Sequence, residues 1–125
     1  MVSEKIRLRA AEIQLREDNI IYIDILPNAE LVLEDSNEIY DAVMKLAGGK
    51  LYPLLIDAES IVSMDRDARK RFSKETTVSA VALLVKTPLS KIIGNFFVGL
   101  NKTSIPFKLF TSKTDAFEWL EAIRK

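Results

Sequence analysis

Hydrophobic and polar residues alternate from the start of the chain. Ile6, Leu8 and Ala10 share one parity, and Ile13 and Leu15 resume on the other after Ala11-Glu12. A period of two marks a strand with one covered face, and the phase slip predicts a bulge within it. Asp18-Asn19 is a turn signal, and residues 20–26 are rich in β-branched side chains until Pro27-Asn28 stops the run. The first two strands are therefore expected to form a hairpin. Residues 31–33 add a short extended piece. From 35 to 47 the period lengthens, with Ile39, Tyr40, Val43, Met44 and Ala47 on one helical face and Gly48-Gly49 offering a left-handed C-cap.

The second half alternates more cleanly. Residues 51–57 form a nearly continuous apolar run, as expected of a strand covered on both faces. The Ala68 and Phe72 spacing predicts a helix over 65–75, and 78–86 reads as another buried strand. Thr87-Pro88 gives an N-cap followed by a proline at the first helical position, opening a helix to about residue 100. Residues 107–110 form the last strand. Ser112-Lys113-Thr114-Asp115 resembles a capping box with Asp in place of Glu, ahead of a helix whose stripe is Ala116, Trp119, Leu120 and Ile123. The order is ββαβαβαβα, without linker or repeat, and predicts one α/β domain over 1–125 with a mixed sheet flanked by helices.

That order, with Ile56-Asp57 and Met64-Asp65 at their spacing, resembles the SpoIIAA-like (STAS-like) group of small bacterial regulatory domains. The likeness extends to the Pro106-Phe107-Lys108-Leu109-Phe110 strand and the Ala116-Phe117-Glu118-Trp119-Leu120 ending, and is closer to an uncharacterised stand-alone branch of the group. The resemblance implies a regulatory, non-catalytic module. STAS anti-sigma antagonists carry an Asp-Ser-Ser-Gly turn at the start of the second helix, where a partner kinase phosphorylates a serine. The matching turn here is Asp65-Arg66-Asp67-Ala68, which keeps the aspartate but has neither serine nor glycine. A serine switch at this turn is not expected. Asp67 would supply a fixed negative charge near a helix N-terminus, or simply pair with Arg71 four residues on while Asp65 caps the helix.

Ligands and partners of open α/β sheets are received outside the carboxyl ends of the strands. The loop that follows Asp57 is therefore the expected interaction surface: Asp57, Glu59, Ser60, Ser63, Asp65, Arg66, Asp67, Lys70 and Lys74 are its candidate residues. Ser60 and Ser63 are the modifiable hydroxyls of that loop. Arg66, Lys70 and Lys74, spaced by four, form a cationic stripe suited to an acidic protein partner. Asp57, Glu59 and Asp65 have the donor chemistry for Mg²⁺ or for acid and base work, but no phosphate-cradling glycine loop or nucleophile motif accompanies them. Asp57 is more simply a strand-terminal carboxylate accepting loop amides.

A second candidate surface lies in the helix after Pro88. Ile92, Ile93, Phe96, Phe97 and Leu100 exceed what one buried face requires, and suggest a homodimer contact or the lid over an apolar small-molecule ligand. The alternative to a regulatory module is accordingly a carrier or sensor of an apolar or lipid-like ligand. The segment is too short to span a membrane, which takes about 20 apolar residues.

Composition narrows the chemistry further. The 125 residues, 48% hydrophobic, suffice for one core, and the formal net charge of +0 argues against a nucleic-acid partner. Without cysteine or histidine there is no thiolate, disulfide or imidazole chemistry. No catalytic, metal or cofactor-binding residues are assigned. Glu4, Lys5, Arg7 and Arg9 interrupt the N-terminal segment, which lacks the apolar core of a secretion signal, so a bacterial-type cytoplasmic location is expected.

Overall fold

The phase slip near Ala11 marks a chain reversal rather than a bulge. β1 (Glu4–Arg7) and β2 (Ala11–Leu15) are separate antiparallel strands. The Leu8 amide donates to the Ala11 carbonyl at 2.8 Å. Ala10 and Ala11 are both buried, a pattern that a bulge and a tight reversal satisfy equally well. The reversal also lets Arg9, at its tip, form an ion pair with Asp35.

The computed structural model describes residues 4–68, 70, 78–86 and 105–123. After β2 come β3 (Ile21–Ile25), β4 (Glu30–Leu31), α1 (Leu33–Ala47), β5 (Pro53–Asp57), β6 (Ser63–Met64), β7 (Ala80–Leu84), β8 (Phe107–Phe110) and α2 (Lys113–Ile123). Residues 66–68 and 70 are also helical. The main sheet runs β1-β2-β3-β5-β7-β8, antiparallel as far as β3 and parallel from there. The expected hairpin is β2–β3, whose turn places Asn19 at φ 64. β5 and β7 lie inside the sheet, which explains their unbroken apolar runs, and Pro53 occupies the first position of β5, where a proline is tolerated.

Each sheet face has its own core. On one, Ile13, Ile21, Ile23, Leu54, Val81 and Leu83 meet α1 through Ile39, Val43 and Leu46. On the other, Ile20, Leu55, Ala80, Ala82 and Leu84 meet α2 through Ala116 and Leu120. Burying Leu120 completely contributes roughly 2 kcal/mol. Ile123, expected in the buried stripe, is exposed; Phe117 and Trp119 flank the Ala116–Leu120 row instead, and Trp119 lies 5.5 Å from Phe110.

The helix ends follow from single residues. α1 starts at Leu33, two residues earlier than its periodicity suggests, although Val32 at the N-cap has no polar side chain. Asp35 substitutes for one, reaching back to accept the Val32 amide at 3.0 Å. Gly48 closes the helix at φ 58, the left-handed cap expected from sequence. At α2 the Ser112 hydroxyl accepts the Asp115 amide at 3.3 Å, so the expected cap forms.

Candidate functional site at the carboxyl end of the sheet

The loop after β5 is pinned along its length. β4 and β6 pair in parallel, Glu30 with Ser63 and Leu31 with Met64. Asn28 donates to the Ser60 carbonyl at 3.3 Å, Val62 to Ala29 at 2.9 Å, and Asp65 to Leu31 at 3.0 Å. Ala58, Ile61 and Met64 are buried beneath it. Ser60, Val62, Ser63, Asp65, Arg66 and Asp67 are left facing solvent. All but Val62 are residues the sequence nominated, here on a segment held by backbone pairing.

Asp65 carries out the capping role expected of it, since its Oδ1 accepts the Ala68 amide at 2.8 Å. The Ser36 hydroxyl donates to the Ala68 carbonyl at 3.2 Å and ties that first turn to α1. Val32, Leu33 and Val62, 41%, 39% and 41% exposed, lie beside or on the paired segments and give this end of the sheet an apolar component. Lys70 is exposed. Lys74, Arg71 and the proposed dimer or ligand surface of Ile92, Ile93, Phe96, Phe97 and Leu100 lie outside the described residues.

Asp57 and Glu59 face a different environment. Asp57 is buried, and its carboxylate accepts the Glu59 amide at 3.2 Å and the Tyr22 hydroxyl at 2.6 Å, with the Lys113 ammonium 3.6 Å away. Glu59 is half-buried and pairs with Lys86 at 3.2 Å. Both carboxylates thus hold the rim of the site together. Strand register places Asp24 directly beside Asp57, and Glu12 beside Asp24. Burial, and then the Asp57 charge, push the Asp24 carboxyl above the ordinary carboxylate range, while Lys113 acts in the opposite direction. Burial and the bond to Asp57 push the Tyr22 phenol far above its ordinary range, so it stays a neutral donor.

Tyr22, Asp24 and Lys113 did not emerge from the sequence as site residues. Tyr22 and Asp24 are visible there as the polar parity of Ile21-Tyr22-Ile23-Asp24-Ile25. Their link to Asp57 depends on parallel pairing between segments more than thirty residues apart, and no local signal encodes that register. Among the described residues, no group of three His, Cys, Asp or Glu side chains could hold a metal ion, and no helix is long and apolar enough to cross a membrane.

A mixed sheet ordered this way, with a capped helix opening after the second parallel strand, is a SpoIIAA-like fold, as two solved structures show. One is an uncharacterised protein from Shewanella loihica PV-4, of the DUF3478 family, with a SpoIIAA-like fold. It is 20% identical, at a TM-score of 0.60 over 95% of this chain and 92% of that one. The other is an anti-sigma factor antagonist from Mycobacterium paratuberculosis, 14% identical, at a TM-score of 0.60 over 96% and 93%. At these identities the likeness establishes the fold alone. The chain belongs to the family described as Domain of unknown function (DUF7793), whose profile matches residues 13–124. No curated protein matches it in sequence.

Proposed function

We propose that this chain is a regulatory or scaffolding module that acts by binding another protein at the pinned loop, without catalysis of its own. The observation that carries the reading is the backbone pairing of residues 28–31 with 60–65, which presents Ser60, Val62, Ser63, Arg66 and Asp67 on a rigid ledge. A preformed surface loses little conformational entropy on binding. The anti-sigma antagonist among its structural neighbours supports a protein partner in a bacterial, cytoplasmic setting. Asp67 then supplies a constant charge where antagonists of that group carry a phosphorylatable serine, and Arg66 with the cations after it steers an acidic partner.

Asp57 and Glu59 have structural work in this reading, which removes the two most plausible acid or base groups from the surface. Photo-crosslinking in cells tests the proposal. A photoreactive residue at Val62 should trap a discrete protein, whereas one at Leu51, 67% exposed ahead of the opposite end of β5, should not. Equal, diffuse labelling from both positions would refute a dedicated surface here.

A further inference from the structure

The sheet face that carries α2 is a step. α2 stands over β5, β7 and β8 and reaches the rim of β3, where Phe117 and Lys113 lie against Tyr22, while no other described element packs on β1, β2 and the remainder of β3 on that face. Lys5, Arg7, Glu12, Gln14 and Asp24 line the bare part, with Tyr22 at its border against α2. Polar residues suit a water-facing antiparallel half-sheet, yet the charges here are sorted rather than mixed. Cations occupy the edge strand, and carboxylates occupy the strands behind it.

Glu12 lies between Lys5 at 3.6 Å and Arg7 at 3.4 Å, and Asp57 has Tyr22 and Lys113. Asp24 has no hydrogen bond or ion pair with its side chain among the described residues, although it is half-buried beside Asp57. One carboxylate of the row therefore has no cation at ion-pair distance among the described residues, with Lys113 acting on it only from farther away.

We propose that this bare half-face self-associates with the same face of a second copy, about a two-fold axis running along the strands above β2. Arg7, Glu12 and Asp24 form one cross-strand row, so this rotation places Arg7 of each copy over Asp24 of the other. Facing sheets stand about 10 Å apart, a gap that an extended arginine and an aspartate bridge. Glu12 and Gln14 each meet their own mates near the axis, and each Glu12 keeps Lys5 at 3.6 Å when its Arg7 turns to the other copy. α2, about one helix diameter thick, then lies alongside the other copy's β1 and covers an edge that would otherwise stay open. The surface is distinct from the pinned loop, so both can be occupied at once. Three short strands make a small interface, which corresponds to weak, concentration-dependent association.

Charge exchange tests the axis. In a sedimentation dilution series, Arg7→Asp and Asp24→Arg should each weaken self-association by roughly tenfold or more, and the double variant should recover to within about threefold of wild type. Thermal melts identify any variant that fails to fold. Independently of those variants, Gln14→Cys introduces the only cysteine of the chain. A bis-maleimide spanning about 10 Å should join two copies through it, and should not join Leu51→Cys copies. A wild-type chain that stays monomeric at several hundred micromolar overturns the proposal. So does a dimer indifferent to both charge reversals, or a Gln14→Cys protein that crosslinks no better than the Leu51→Cys control.

Discussion

Tyr22 and Asp57 form a 2.6 Å hydrogen bond across the boundary between β3 and β5, the point where the sheet passes from antiparallel hairpin to parallel crossover. Tyr22→Phe should cost about 1–2 kcal/mol in urea unfolding, because a buried carboxylate loses a donor while the Glu59 amide and Lys113 remain. An alkaline absorbance titration gives a second reading. Of the three tyrosines, Tyr22 should ionise only as the protein unfolds, because its folded phenol is held far above its ordinary range. Ionisation of all three in an intact fold would contradict that arrangement.

Asp24 sets a pH dependence of opposite sign to the usual carboxylate. Its folded pKa is raised, so the folded state holds the proton more tightly than the unfolded chain does. Its contribution is favourable below the unfolded carboxylate pKa and is lost as pH rises through the folded one. Asp24→Asn should therefore stabilise the dilute monomer at neutral pH, and the gain should vanish in acid. Denaturation curves at pH 7 and pH 3, run well below any association threshold, decide the matter; a gain that persists unchanged in acid would point to some cause other than ionisation.

Asp35 serves two neighbours from a buried position. It accepts the Val32 amide at the start of α1 and pairs with Arg9 from the β1–β2 reversal. Asp35→Ala should cost about 2 kcal/mol, the upper end of capping losses, since the orphaned amide is partly shielded. Arg9→Ala should cost about 1 kcal/mol or less because the guanidinium is largely exposed. Comparable losses from the two substitutions would show that the ion pair, and not the cap, dominates.

Gly48 tests the helix stop. It sits at φ 58, and a Cβ built there meets no atom within 4 Å. Gly48→Ala should then lose about 1 kcal/mol from backbone strain alone, and Gly48→Asn less, since asparagine tolerates the left-handed region better. A neutral alanine substitution, measured by thermal or urea denaturation, would mean that α1 can end another way.

Local patterns carried much of the fold. The β2–β3 hairpin, the Gly48 stop and the Ser112 cap each depend on residues within a few positions of one another, and each was readable. The β1–β2 reversal reads as a bulge in the sequence because two consecutive buried alanines satisfy both geometries, and the Arg9–Asp35 contact at its tip spans 26 residues. The loop that follows β5 was legible as a structural feature from Asp57 onward. Its rigidity was not, since β4 and β6 are two-residue strands whose pairing joins distant segments and leaves no periodicity. Asp57 shows the same divide: the sequence indicated a carboxylate accepting loop amides, but not that Tyr22 and Lys113 also claim it.

The pairing of β4 with β6 also affects how this end of the protein breathes. Val62 and Asp65 donate to carbonyls of the segment before α1, so neither stretch can expose its amides to solvent exchange without releasing the other. The two connections form one cooperative opening unit, and anything bound on the loop after β5 should slow isotope exchange in the segment before α1 as well.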